Sequence, residues 1–235
     1  MTYVFLADGF EEIEALGTVD ILRRCGLAVQ TLSVTGRRVV EGAHGLVVKA
    51  DSLFRRNHMR DAEVIVIPGG LKGAQTLYSN QILRQVLIQQ YARGTVLAAI
   101  CAGPIVLDAC GLLEGRHMTC YPSMETQMEC KLHYHSDCYV VCHDNVVTAA
   151  GPAATRCFAF TLAERFAGAE TTEKVKADML FSNIDIPMNR AVYYSGTSDV
   201  PVNHFAQRSA ALKSEGAVPE APHIFQGADA DDLIF

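Results

Sequence analysis

Short apolar runs alternate, over the first two hundred or so residues, with segments whose apolar positions recur every three or four places. That rhythm predicts an α/β chain with an open, mostly parallel sheet covered on both faces. Tyr3 to Ala7 reads as a buried strand and Glu11 to Cys25 as a helix that turns Ile13, Leu16, Val19, Ile21 and Leu22 to the core and stops at Gly26. Strands are expected at Ala28 to Val34 and Glu63 to Ile67, with a short excursion of Arg38 to Glu41 and Leu46 to Ala50 around Gly42 and Gly45. Pro68, Gly69 and Gly70 stop the central strand. A helix around Ile82 to Ala92, the strand Thr95 to Ile100 and a helix opened by Pro104 come next. Met118 to Tyr121, Tyr139 to Cys142 and Val146 to Ala149 read as strands, and Ala153 to Phe166, closed by Gly168, and Glu173 to Phe181 as helices.

Composition shifts near Ile184, where Pro, Asn, Ser and Gly become scattered, and the end mixes acids with Leu233, Ile234 and Phe235. Residues 1–183 are therefore expected to be one domain, and 184–235 an extension that is either a packed arm or a flexible tail with an unknown partner. At 235 residues the chain can bury a substantial core. No apolar run approaches the roughly 20 residues that cross a bilayer. Neither a basic leader nor a cleavage site opens the chain, so the expected location is cytoplasmic. The eight cysteines frame no short loops and are expected to be thiols. A net charge of -6 without basic runs disfavours nucleic acid as a partner.

The chemistry concentrates in Leu97-Ala-Ala-Ile-Cys101-Ala-Gly-Pro104. A strand that ends at a nucleophile and passes at once through small residues into a helix makes a nucleophile elbow, and the helix start is expected to favour the thiolate of Cys101. An ordinary buried thiol at a strand end is the alternative. Ile67-Pro-Gly-Gly70 ends a neighbouring strand with backbone that can approach a ligand closely, so the N–H groups of Gly70 and Ala102 are candidate oxyanion donors. In Asp8-Gly-Phe-Glu-Glu-Ile-Glu14, Glu11 and Glu12 read as complements to the helix dipole, with Glu11 also a candidate for the pocket wall. Glu14 shares a face with apolar positions. It is expected to be buried, with a raised pKa and a proton to exchange with Cys101.

Ala7-Asp-Gly-Phe-Glu-Glu-Ile-Glu14, Ile67-Pro-Gly-Gly70, Gly73-Ala74, Ala98-Ala-Ile-Cys-Ala-Gly-Pro104 and Gly151-Pro152 together resemble the ThiJ/PfpI superfamily, in the branch of the parkinsonism-associated deglycase. The resemblance runs from Tyr3 to about Phe181. It implies a flavodoxin-like three-layer sandwich, a homodimer, an oxidation-sensitive Cys101 bonded to Glu14, and Arg24 near the pocket. Ala102, rather than histidine, after Cys101 sets the chain apart from the protease-type branch. Members credited with glyoxalase activity carry a histidine where this chain has Tyr121, a poorer proton shuttle at neutral pH. His44, on the pocket side, is the candidate substitute.

Cys130, His133, His135, Cys138, Cys142 and His143 could suit zinc, but lack a paired Cys-x-x-Cys knuckle, and alternation along Tyr139 to His143 sends neighbours to opposite faces. No metal and no organic cofactor is expected. The function expected is a cysteine-dependent glyoxalase or deglycase that acts on a small carbonyl substrate. An oxidation-sensing or chaperone-like protein without turnover is the alternative, and amidotransferase-like or peptidase hydrolysis is a third.

Overall fold

Three strands, Thr2–Leu6, Val64–Ile67 and Val96–Ile100, are buried at every position, as parallel strands covered on both faces must be. The computed structural model describes residues 1–56, 59–181, 191–197 and 201. Its elements are β1 (Thr2–Leu6), α1 (Glu12–Arg24), β2 (Val29–Ser33), β3 (Val39–Glu41), β4 (Val47–Lys49), β5 (Ser52–Leu53), β6 (Val64–Ile67), α2 (Leu71–Ser79), α3 (Gln81–Ala92), β7 (Val96–Ile100), α4 (Pro104–Asp108), β8 (His117–Met118), β9 (His133–Tyr134), β10 (Val140–His143), β11 (Val146–Ala149), α5 (Thr155–Ala167), α6 (Ala169–Asp178) and β12 (Ala191–Tyr194).

Eight strands build the main sheet in the order β12-β10-β11-β7-β6-β1-β2-β5. Only the β10–β11 pair is antiparallel within it. Side chains alternate across the sheet and feed two cores. Phe5, Ile65, Ile67, Leu97 and Ala99 pack with Leu77 of α2, Leu83 and Leu87 of α3 and Val106 of α4. Val4, Val66, Ala98 and Ile100 point the other way, onto Leu22 of α1 and Phe158 and Leu162 of α5. The result is a mostly parallel sheet between two helical layers, the flavodoxin-like arrangement expected.

Several elements depart from expectation. Ile13 is 60% exposed while Glu14, Thr18 and Leu22 are fully buried. The buried stripe of α1 is centred on Ala15, Thr18 and Leu22, and at 100° per residue Ile13 falls on the opposite side. α2, which was not expected, starts directly after Gly70. β8 ends at Met118, because the chain turns to let Tyr121 N–H donate to the Cys101 carbonyl at 3.0 Å. β12 lies beyond residue 183 and pairs in parallel with β10, making that stretch a sheet edge. Apart from 191–197 and 201, the expected extension falls outside the described residues. No helix among the described residues is long and apolar enough to cross a membrane.

Candidate active site

β7, β6 and β1 are neighbours in the sheet and run parallel, so the segments that follow them emerge at one edge. After β1 the chain enters α1 on one face, and after β6 it enters α2 on the other. Such a change of face opens a crevice beyond the strand ends, where open α/β sheets place their ligands. Cys101 follows β7 directly, Gly69 and Gly70 follow β6, and Glu14 sits in the first turn of α1.

Cys101 has φ 63, in the left-handed region. A non-glycine residue held there costs about 1–3 kcal/mol, and such strain collects at functional turns. The rigid surroundings hold it: Cys101 N–H donates to the Ala149 carbonyl at 2.8 Å, and Gly103 N–H to that of Ile100 at 2.8 Å. Gly103 admits no larger residue, because a Cβ would lie 2.4 Å from the Ile67 carbonyl oxygen. The elbow is thus pressed against the end of β6.

Glu14 is fully buried. Its Oε2 accepts Gly69 N–H at 2.7 Å, whereas Oε1 has no N–H or O–H partner, which sets the carboxyl against the Cys101 thiol. Burial pushes the Glu14 pKa up to about 7, partly offset by the bonds from Cys101 and Gly69 N–H. The Cys101 thiol is also pushed up, first by burial and then by the Glu14 charge, while the N–H groups of Ala102 and Gly70 pull it down. This corrects the expectation of a thiolate favoured by a helix dipole: α4 has five residues, too few for a large dipole, and burial dominates. The two acids form one unit that carries at most one negative charge near neutral pH. A thiolate there requires the proton to sit on Glu14.

Three comparisons bear on this geometry. The sequence model of the DJ-1/PfpI family matches residues 2–165. The chain belongs to the DJ-1/PfpI family. It is 36% identical over 182 residues to the Parkinson disease protein 7 homolog of Danio rerio, covering 77% of this chain and 96% of that one. A Caenorhabditis elegans relative named glutathione-independent glyoxalase is 32% identical over 165 residues, 70% of this chain and 87% of its own. The crystal structure of Drosophila melanogaster DJ-1beta superposes with a TM-score of 0.73 at 33% identity, covering 76% of this chain and 96% of that one.

In this DJ-1/PfpI chain Cys101, Glu14, Gly70 and Ala102 come together. Glu11 caps α1, accepting Glu14 N–H at 2.7 Å, and its own N–H donates to the Gly69 carbonyl at 3.0 Å, so it locks the acid's helix to the glycine turn. Arg24 stays apart. It ends α1, ten residues and about 15 Å of helix from Glu14, exposed and paired with Asp20 at 2.8 Å. His44 bonds Glu12 twice, Nδ1 to Oε2 at 2.7 Å and backbone N–H to Oε1 at 2.6 Å. It is therefore held by Glu12, not by Cys101. Glu12 is itself buried and not a plain dipole complement, a role that sequence reasoning missed because its partner lies on the β3–β4 turn. Tyr121 is 51% exposed, its ring over Gly151.

Proposed function

We propose that the chain is a cysteine-dependent enzyme of small reactive carbonyls, of the glyoxalase or deglycase kind. The observation that carries this reading is a buried carboxyl with one oxygen free of any N–H or O–H donor, set against the thiol of a cysteine on a strained elbow. The glyoxalase name of one relative supports it. Sulfur adds to the aldehyde carbon of methylglyoxal, and the thiol proton reaches the former carbonyl oxygen through Glu14, giving a hemithioacetal. Negative charge that develops on the way meets the N–H groups of Gly70 and Ala102. Glu14, now a carboxylate, takes the proton from the former aldehyde carbon and returns it to the neighbouring carbon as the hydroxyl proton passes to the ketone oxygen. The product is a lactate thioester, which water cleaves to lactate and free thiol. Lactate formation from methylglyoxal should be lost in Cys101→Ser and fall strongly in Glu14→Gln; equal rates in all three proteins would remove the mechanism.

The same carboxyl facing the thiol favours a second reading, oxidant sensing. Peroxide takes the thiolate to a sulfenate and then a sulfinate, each step transferring one oxygen to sulfur and releasing water, and protonated Glu14 donates to an oxygen on that sulfur. Mass spectrometry after mild peroxide checks it. The reading fails unless Cys101 is modified ahead of the other cysteines.

A further inference from the structure

The segment between β9 and β10 leads into the strand two places from β7 in the sheet order, packs Cys138 on Tyr194 of β12, and gathers side chains that the chemistry above does not use. His135, Asp137 and Cys138 bring a ring nitrogen, a carboxylate oxygen and Sγ within 4.8 Å of one another. We propose that these three residues form a zinc site, with the fourth position of the tetrahedron left to water.

The donor set is the first support. One imidazole, one thiolate and one carboxylate match a borderline-soft divalent ion that accepts nitrogen, sulfur and oxygen together, whereas calcium or magnesium would ask for oxygen alone. Burial is the second. Cys138 is 7% exposed and packs with Val141 and Tyr194, so its sulfur is held rather than free to swing. It already lies 3.6 Å from Asp137 Oδ1.

An outer layer fixes the imidazole. His117 Nδ1 lies 2.8 Å from His135 Nε2, leaving the other ring nitrogen of His135 for the ion. His117 cannot easily turn: its ring stacks on Tyr194 at 3.6 Å and 5°, and on His133 at 4.7 Å, while its backbone N–H donates to His143 Nδ1 at 2.9 Å. Metal-bound histidines are oriented in this way by a partner on the second nitrogen. His143 is spent, because Nδ1 accepts from His117 and Nε2 donates to the Gly196 carbonyl at 2.8 Å. Of the other residues of the sequence cluster, His133 stacks on His117, Cys142 faces the α1–α5 core, and the Cys130 thiol donates to the Asp108 carbonyl at 3.6 Å.

Glu11, Glu12 and His44 also converge, but without sulfur and with their oxygens engaged by Glu14 N–H and His44. That difference makes the assignment testable. Binding exchanges the Cys138 thiol proton for the metal, so one proton is released to solvent per ion and affinity rises with pH. The reduced full-length Cys101→Ser protein, which lacks the other candidate thiolate, is titrated with cobalt and with zinc against a chromogenic chelator. One equivalent of cobalt should produce a near-ultraviolet thiolate-to-metal band. Cys138→Ser should abolish the band and weaken zinc by about 100-fold or more, beyond the 10–100-fold expected of an outer partner such as His117→Phe, which keeps the ring stack. His135→Gln and Asp137→Asn should weaken zinc as well, with circular dichroism confirming that each variant is folded. Absence of stoichiometric binding overturns the proposal. So does binding that survives Cys138→Ser and His135→Gln but is lost in His44→Ala.

Discussion

Replacing Glu14 with glutamine isolates the cost of burying an ionisable acid. The amide keeps the size of the carboxyl and an oxygen to accept Gly69 N–H, but it cannot ionise. In the wild-type chain the Glu14 pKa rises from 4.5 to about 7 on folding. At about 1.4 kcal/mol per pH unit, the ionised form is disfavoured in the folded state by about 3 kcal/mol. Because the folded pKa lies above the unfolded one, the folded chain holds this proton where the unfolded chain has lost it, and stability declines as pH rises from 4.5 through about 7. Glu14→Gln lacks this decline. Its stability relative to wild type should therefore improve by about 3 kcal/mol between pH 4.5 and pH 8, or about 6–12 °C in Tm for a chain of this size. Urea denaturation of both proteins across that range measures the difference directly. Parallel curves would refute the reasoning, because they would mean that the carboxyl titrates in the fold as it does in water.

Gly69→Ala should cut carbonyl turnover by about 100-fold or more, since its Cβ would fall 2.6 Å from Glu14 Oε2 and 2.7 Å from Cys101 Cβ and must part them; steady-state kinetics tests this. Gly70→Ala should cost about 3 kcal/mol or more in urea, because φ is +80° and a Cβ would lie 2.2 Å from the Gly9 carbonyl oxygen. Gly26→Ala, with φ +77° but open space around it, should cost about 1 kcal/mol. The His44–Glu12 pair raises the histidine pKa above 6.5, and its bonds to His44 bring the Glu12 pKa below 4.5 despite burial. Its contribution is complete between those values; it is lost as pH rises through the raised histidine pKa or falls through the lowered glutamate one. His44→Ala should therefore lower Tm more at pH 6 than at pH 8.5, and an equal loss at both would count against the pair.

Cys101 and Glu14 were legible because each breaks a local pattern. The thiol stands where an apolar strand meets Ala-Gly-Pro, and the acid stands on the apolar stripe of its helix. The same stripe, read too widely, put Ile13 in the core. α2 was illegible because Gly73 interrupts a nine-residue helix; that glycine answers to packing, since a Cβ would lie 2.8 Å from Phe10 N. Glu12 with His44 joins residues 32 apart, and no local pattern announces such a pair. The direction of the thiol's shift was misread for a related reason. A helix start is visible in sequence, but the depth of burial around the sulfur is a property of the assembled layers.

Alternation along β10 does separate Cys142 from His143, as the sequence implied. The converging ligands lie before that strand, in a loop where period-two reasoning has no force. The same distinction explains the candidate active site. Its groups are far apart in sequence, and what unites them is the order β7-β6-β1, which brings three strand ends to one edge. Gly69 then serves all of them: its N–H holds Glu14, its carbonyl receives Glu11 N–H, and its missing Cβ leaves the space that Glu14 and the Cys101 elbow share. The chemistry proposed at this edge would depend as much on that empty position as on the sulfur and the acid, because a Cβ there would lie 2.6 Å from Glu14 Oε2 and 2.7 Å from Cys101 Cβ and push the two groups apart.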